Sequence, residues 1–466
     1  MTQILSELVQ VLDGHLRVDE LTRTNYGRDA WARSALADWV GDSITRPMAV
    51  LFPSDTAALA RAVRICRAAG VSMVPRGAGS GACGGVLAGE RSLVLSTERL
   101  AGLRAFDPFD RVASFGAGTC ARDAESVAAE RGFTLGLRPP PGDRSTIGGW
   151  LATRYSGPYA TGHGNIEDLV QGMEAVLPDG TVFRSRETPR ASAGPDLRQL
   201  LIGSEGTLGI VSEVSFSLRP RPEQSLQRGY HFEHFAAGIE ALRAVLGPGW
   251  RPQLVELLDA RESGRLFRED CPGGRCMLLL LHEGPAPRAE VEAAAVHTLC
   301  HAHGGRPAAP EAVASRFERR EAAVSWRQLF EQGLVRDTIE VTTGWSRLLP
   351  LYEAVLTGLQ AEPSLVSASA RLAHAYPSGA SLAFTFTAAP ERSADMLGVY
   401  DRCWELAMRA ARDVGAGIAH DRGIGRVRRD WLPNELGPGG VRMLRSVKRV
   451  LDPDDLMNPG VLVPTG

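Results

Sequence analysis

Apolar positions along this chain follow two periods, and the changes from one to the other mark its elements. The first 65 residues read mainly as helix up to "GDSITRPMAVLFP". Then "TAALARAVRICRAAGV" repeats apolar residues at helical spacing and stops on Gly70. "VSMVPRG", "RSLVLST" and "RVASFGAGT" predict strands, and "ARDAESVAAERGF" predicts a helix closed by Gly132. "LRPPPGDRSTIGGWLATRYSG" is a loop opening into a short helix, and "MEAVLPDGTVFRS" a hairpin turning at Asp179-Gly180. "GSEGTLGIVSEVSFSLRPRP" ends the block in strand alternation. From about residue 222 to 412, strands alternate with long helices and glycine-rich loops disappear. The tail, from "GAGIAHDRGIGRVRRDW" to "LDPDDLMNPGVL", returns to glycines. This pattern predicts an α+β fold, with residues 1–222 and 413–466 forming one domain split by an inserted domain at 223–412.

Composition narrows the class. At 466 residues the chain has material for several buried cores. A net charge of −2 gives no reason to expect nucleic acid or an acidic membrane surface as a partner. The count of seven Cys is odd, and the spacing in "DCPGGRC" (Cys271 to Cys276) fits neither a redox pair nor a zinc knuckle, so free thiols in a reducing compartment are expected. The N-terminus lacks a basic region before an apolar stretch, and no window approaches a membrane span. The expectation is a cytoplasmic protein.

One turn changes the picture. "VPRGAGSGACGGV" (74–86) follows a strand and crowds glycines where a backbone can approach a phosphate. A dinucleotide fingerprint of the G-x-G-x-x-G type needs a helix opening at the glycines, but here strand character returns at "RSLVLST", so that reading fails. The alternative is a nest of loop amides around a pyrophosphate. Two further small-residue loops, "GDRSTIGGW" and "GSEGTLGIV", exceed what turns alone require.

With these loops the sequence resembles the FAD-binding flavoenzymes of the vanillyl-alcohol oxidase or p-cresol methylhydroxylase (PCMH) type. Among them it is most similar to the alkyl-dihydroxyacetone-phosphate synthases, and next to the 2-hydroxy-acid oxidases and dehydrogenases. The resemblance runs from about residue 45 to the C-terminus and is strongest in "STIGGWLATRYSG", "GNIEDLV", "GPDLRQLLIGSEGTLGIVSEVSF", "HAYPSGASLAF" and "SVKRVLDPDDLMNPG". It implies a split FAD-binding domain and an inserted cap, or substrate, domain built on an antiparallel sheet with helices. It implies FAD held by Pro75, Arg76, Gly77, Ala78, Gly79, Ser80 and Gly81 at the pyrophosphate. Pro141, Gly142, Asp143, Ser145, Thr146, Gly148, Gly149, Thr153 and Ser156 would follow the phosphate and isoalloxazine side, and Glu205, Gly206, Thr207, Ile210 and Val211 the adenosine side. Tethered relatives place a His where this chain has Ser80, so the FAD is expected to be non-covalent. A homodimer is a further implication.

The resemblance also proposes residues for chemistry. Tyr376 matches an active-site tyrosine. A phenol that ordinarily titrates near 10 must come down by about 3 units to act as a base at neutral pH. Arg371 and Arg327 are the cations offered for that, and they are substrate-binding candidates together with Arg154. Tyr376 could equally be a buried aromatic, Arg327 a surface residue of an amphipathic helix, and Arg154 a loop brace. His374, two residues before Tyr376, shares its face on a strand, though it could be an ordinary buried histidine. His420 stands where the synthases carry three consecutive histidines; here the run reads His420, Asp421, Arg422. Asp421 and Arg422 could form an ion pair or touch substrate. The histidine-rich metal-binding segments of the hydroxy-acid dehydrogenases are also mostly replaced. The expectation is therefore an enzyme lacking the histidine cluster and holding no catalytic metal. It would act through FAD at a hydroxyl-bearing carbon of a small anionic substrate. A 2-hydroxy-acid oxidase or dehydrogenase, a tailoring flavoenzyme of a specialised pathway, and a non-catalytic flavin binder are the alternatives.

Overall fold

The helix expected after residue 55 forms over Thr56–Ala68. Asp55 caps it by accepting from the Ala58 N–H at 2.8 Å, and Gly70, at φ +62°, turns the chain out of it. The computed structural model describes residues 2–42, 46–139, 143–267, 271, 274–318 and 325–464. The chain divides into two units: Met1–Tyr155, Asn165–Pro220 and Asp421–Gly466 form the first, and Ser156–Gly164 and Arg221–His420 the second.

Among the described residues, the first unit holds a four-stranded sheet of β1 (Leu16–Arg17), β2 (Ala49–Leu51), β3 (Ser72–Arg76) and β4 (Ser92–Ser96) in the order β1-β2-β4-β3. The helices Thr2–Val11 and Thr56–Ala68 bury Ile4, Leu8, Leu59 and Val63 in a core shared with Leu51, Met73 and Leu93. A second sheet joins β5 (Leu103–Asp107), β6 (Val112–Gly116), β8 (Val170–Val176), β9 (Val182–Arg184) and β10 (Ile210–Ser217) in the order β5-β6-β10-β8-β9. β7 (Phe133–Thr134) pairs separately with β11 (Arg219–Pro220). The hairpin expected at Asp179-Gly180 joins β8 to β9, with Gly180 at φ +78°.

The second unit is built on one antiparallel sheet: β12 (Gln224–Phe232), β13 (Leu254–Leu258), β14 (Cys276–Gly284), β15 (Arg306–Pro307), β16 (Val335–Gly344), β17 (Leu365–Tyr376) and β18 (Gly379–Ala388). The order is β15-β12-β14-β13-β17-β18-β16. The unbroken apolar run of β14 lies inside, with Met277 and Leu278 to Leu281 at most 1 % exposed. Each leucine there contributes about 1.5–3 kcal/mol of burial free energy. The helices Phe235–Leu246, Ala286–Ala302, Trp345–Leu359 and Met396–Asp413 pack on this sheet. The last of them covers the face to which Asp337 of β16 turns, where the Asp337 carboxylate accepts from Tyr400 Oη (2.6 Å) and Trp404 Nε1 (3.0 Å). Glu340, three residues on, turns to the opposite face, as strand alternation requires. The architecture is α+β: in the first sheet β2 and β3 both run parallel to β4, whereas the sheet of the second unit is antiparallel and packed with helices, as expected. None of the seven cysteines is in a disulfide, and all but Cys120 are buried. Among the described residues no helix is long and apolar enough to cross a membrane.

Candidate active site

In the first unit β3 ends at Arg76 and runs straight into the glycine turn. Among the described residues, no hydrogen bond within the chain uses the backbone N–H of Gly77, Ala78, Gly79 or Ser80. Successive N–H groups without an internal acceptor are the physical signature of an anion nest. Gly79 stands at φ +70°, which a side chain would strain. A Cβ on Gly77 would run into the Thr146 hydroxyl, so the second small-residue loop packs directly against the first. There Asp143 accepts from the Ser145 backbone N–H (2.8 Å) and from its hydroxyl, and Thr146 caps the helix Ile147–Thr153 by accepting from Gly149 (3.2 Å). Thr153 returns its hydroxyl to Gly149 O, and Gly148 lets that helix close on Ala117. Pro141 and Gly142 lie outside the described residues. Arg76 lays its guanidinium over the Tyr26 ring at 4.4 Å.

The third loop closes on β3. A Cβ on Gly206 would meet Pro75 Cγ at 2.9 Å, and Ile210 and Val211 begin β10. Glu205 takes a left-handed φ of +51° and is fastened on both sides. Its carboxylate accepts from Ile424 N (2.7 Å) and Gly425 N (2.8 Å), and its carbonyl accepts from Asn458 Nδ2 (2.7 Å). Burial pushes the Glu205 carboxyl up to about 7. Thr207 O accepts from buried Lys448, which also pairs with Asp452. The unused amides and the glycine contacts of these loops fit the phosphates of FAD.

In the second unit, cross-strand pairing places four candidate groups on one sheet face. Glu340 of β16 and Arg371 of β17 both lie opposite Ala383 of β18, and His374 lies opposite Ser381, two residues along. On an unbroken strand Arg371 and His374 would point to opposite faces. The irregularity between Leu372 and His374 shifts the register, so His374 and Tyr376 join the face that Arg371 occupies. A two-way bridge between Thr342 and Gly417 (3.2 and 2.7 Å) brings in the loop that carries His420.

Glu340, His374 and His420 converge there. Glu340 Oε1 is 3.5 Å from His374 Nδ1 and 3.3 Å from His420 Nδ1, and the two imidazoles stack at 4.6 Å. His420 Nε2 is 2.8 Å from Tyr376 Oη, which also lies 3.4 Å from Ser156 Oγ. Glu340 and His374 are buried. Burial depresses the His374 imidazole, and the Glu340 carboxylate opposes that. The imidazole of His420 is the group that meets the Tyr376 hydroxyl at 2.8 Å.

The arginine candidates are each paired with a carboxylate outside this cluster. Arg327 is on the exposed side of the short helix Trp326–Glu331, paired with Glu331 at 2.9 Å. Arg154 is a left-handed helix C-cap in the first unit, pairing with Glu167 at 3.0 Å and packing on Gly203. Arg371 pairs with Glu256 at 3.1 Å. Arg422 reaches Asp421 at 3.8 Å, which is the ion-pair option.

One expectation is corrected. The sequence was expected to lack the histidine cluster of the synthases, because only His420 survives in its motif. Glu340, His374 and His420 instead offer ligand-type atoms that all lie within 4.8 Å of one another. The cluster draws on three distant segments, so no local motif displays it. Its one sequence signal was an acid flanked by Ile339 and Val341 inside a strand pattern, a position that buries a charge and so demands a reason.

Comparison with known proteins agrees with this architecture. Residues 47–186 match the family described as "FAD binding domain", and residues 221–462 match "FAD linked oxidases, C-terminal domain". The chain is 28 % identical over 438 residues to the uncharacterized FAD-linked oxidoreductase YgcU of Escherichia coli strain K12, covering 90 % of this chain and 89 % of that one. It is 27 % identical over 379 residues to the alkyldihydroxyacetonephosphate synthase of Caenorhabditis elegans, covering 74 % of this chain and 64 % of that one. A solved alkyldihydroxyacetonephosphate synthase structure superposes with a TM-score of 0.80 at 21 % identity, over 98 % of this chain and 84 % of that one, which establishes the shared PCMH-type fold.

Proposed function

This chain belongs to the FAD-linked oxidases and is an FAD-dependent oxidoreductase, and we propose that it oxidises a hydroxyl-bearing carbon of an anionic substrate, with the Tyr376–His420–Glu340 line receiving the hydroxyl proton. Residues 223–412 are the substrate domain in this reading. Bound FAD supplies the hydride acceptor, leaving the protein to bind, orient and deprotonate. The hydrogen bond between Tyr376 Oη and His420 Nε2, with a buried carboxylate behind the imidazole, is the observation that carries the reading. Tyr376 passes the substrate's proton to His420 Nε2, and the charge that develops on the imidazole is stabilised by Glu340. An anionic substrate is supported by the phosphate in the name of the related synthase. The test is the anaerobic absorbance of the holoenzyme before and after a panel of 2-hydroxy acids and glycerol-phosphate derivatives. Bleaching of the flavin band is expected with a member of the panel. An oxidised band that persists while product appears overturns the assignment in favour of redox-neutral chemistry.

The spacing of the cluster favours a second reading, in which it holds a divalent cation. Ligands about 2.1 Å from a tetrahedral ion lie about 3.4 Å apart, close to the 3.3 and 3.5 Å measured from Glu340 Oε1. Such an ion would supply Lewis-acid polarisation of a hydroxyl oxygen. Metal analysis of purified protein decides: about one equivalent that Glu340→Gln loses supports this reading, and metal-free protein with full turnover removes it.

A further inference from the structure

The sheet face that carries the cluster continues away from it to a second polar group. Glu256 of β13 lies two residues from Leu258, the residue opposite Arg371, so it shares the face with Arg371. Its Oε1 accepts from Arg371 Nη1 at 3.1 Å and from Arg316 Nη2, on the helix Pro310–Glu318, at 3.0 Å. Two guanidinium groups therefore share one carboxylate oxygen, and Glu262, another carboxylate on which the Arg371 charge acts, is hydrogen-bonded by Arg265 and Ser369. Among the described residues neither guanidinium makes another hydrogen bond or ion pair, and the Nε of each is buried without an acceptor. Proteins rarely leave buried donors idle, and paired guanidinium groups suit a planar or tetrahedral oxyanion. The side chains of Arg371 and Arg316 are 33 % and 15 % exposed, so solvent reaches the pair.

We propose that Arg316 and Arg371, held together by Glu256, bind the acidic group of the substrate, and that this group lies several bonds from the carbon that reacts. The spacing follows from the register. Arg371 pairs with Ala383 and Tyr376 with Gly379, four steps along β18. That separates the two backbone positions by about 13 Å. Arg371 moreover leans toward β13, whereas the cluster lies toward β18 and β16. A two-carbon acid has its carboxylate beside its hydroxyl and cannot span that distance; a chain with a distal carboxylate or phosphate monoester can. Arg327, the other arginine considered for this part, is occupied at the surface by Glu331. The proposal rests on the reading of the substrate as an anion, and it extends that reading to where the charge is held.

Binding tests it without turnover. Holoenzyme is titrated calorimetrically with two probe series: the α,ω-dicarboxylates from malonate to adipate, and glycerol 3-phosphate beside inorganic phosphate. Wild type is compared with Arg316→Gln, Arg371→Gln and Glu256→Gln, with flavin content and melting temperature recorded for each. Either arginine change is expected to weaken the better probe at least tenfold with flavin retained. Glu256→Gln removes the competing carboxylate and is expected to tighten it severalfold, a sign that a merely structural role would not give. Preference for the phosphates or for the dicarboxylates identifies the acidic group. Binding that both arginine variants leave unchanged, or that Glu256→Gln weakens, overturns the assignment to this pair alone. Failure of wild type to bind any probe overturns the anionic-substrate reading and the pair together. If Glu256→Gln fails to fold, the two arginine variants still decide.

Discussion

Glu340→Gln is the most informative change to the cluster, because it removes a charge while keeping the side chain's size. Glu340 Oε1 lies 3.3 Å from His420 Nδ1. At an effective dielectric of about 20, a carboxylate and an imidazolium at that distance attract by about 5 kcal/mol. Screening, and the dipole that the amide retains, leave about 2–3 kcal/mol as the loss in the step that puts a proton on the imidazole. Each 1.36 kcal/mol is a factor of ten, so flavin reduction slows by roughly 30- to 150-fold. The carboxylate also raises the proton affinity of His374, which stacks on His420 and, once protonated, opposes a charge there; that protonation moves to lower pH in the variant, and the acid limb of the pH–rate profile moves with it. Stopped-flow reduction of the flavin under anaerobic conditions, across pH, measures both effects. The melting temperature should hold, since the amide relieves a buried charge of its desolvation. A variant that reduces its flavin within threefold of wild type, with an unmoved acid limb, refutes the role given to Glu340.

Tyr376→Phe deletes the hydroxyl that His420 meets at 2.8 Å; flavin content should stay, and the reduction rate should fall by about 10²–10⁴, as for loss of a general acid–base group, in the same stopped-flow assay. Because Ser80 replaces the histidine that tethers flavin in relatives, acid precipitation should release all the FAD into the supernatant, which absorbance of the two fractions checks. Glu205 has a carboxyl raised by burial to about 7 against an ordinary value of 4.5, so its contribution to stability is full below about 4.5 and is lost as pH rises through about 7. Glu205→Gln should therefore flatten the fall in thermal stability between pH 4.5 and 8, measured by calorimetry on the whole chain.

The local devices were legible in the sequence because each is written in adjacent residues. The glycine turn at 76–81, the Thr146 helix cap, the Asp179-Gly180 hairpin and the shared face of His374 and Tyr376 all depend on spacings of a few positions. Those same segments carry the family resemblance, which is why the FAD-binding region and the α+β class could be read before any coordinates.

Glu340 could not be read that way. It lies 34 residues before His374 and 80 before His420. It meets them only because β18 pairs with both β16 and β17 and because Gly417 bridges to Thr342. The register shift after Leu372 is equally silent in sequence, yet it decides that Arg371 shares a face with His374 and Tyr376. Arg327 shows the converse: a motif position that suggested substrate contact spends its charge on Glu331 at the surface. Local spacing fixes which residues can turn, cap or alternate, since those energies act over one or two turns of chain. Which charges end up facing one another depends on strand pairing between segments far apart, and the tertiary structure alone settles that.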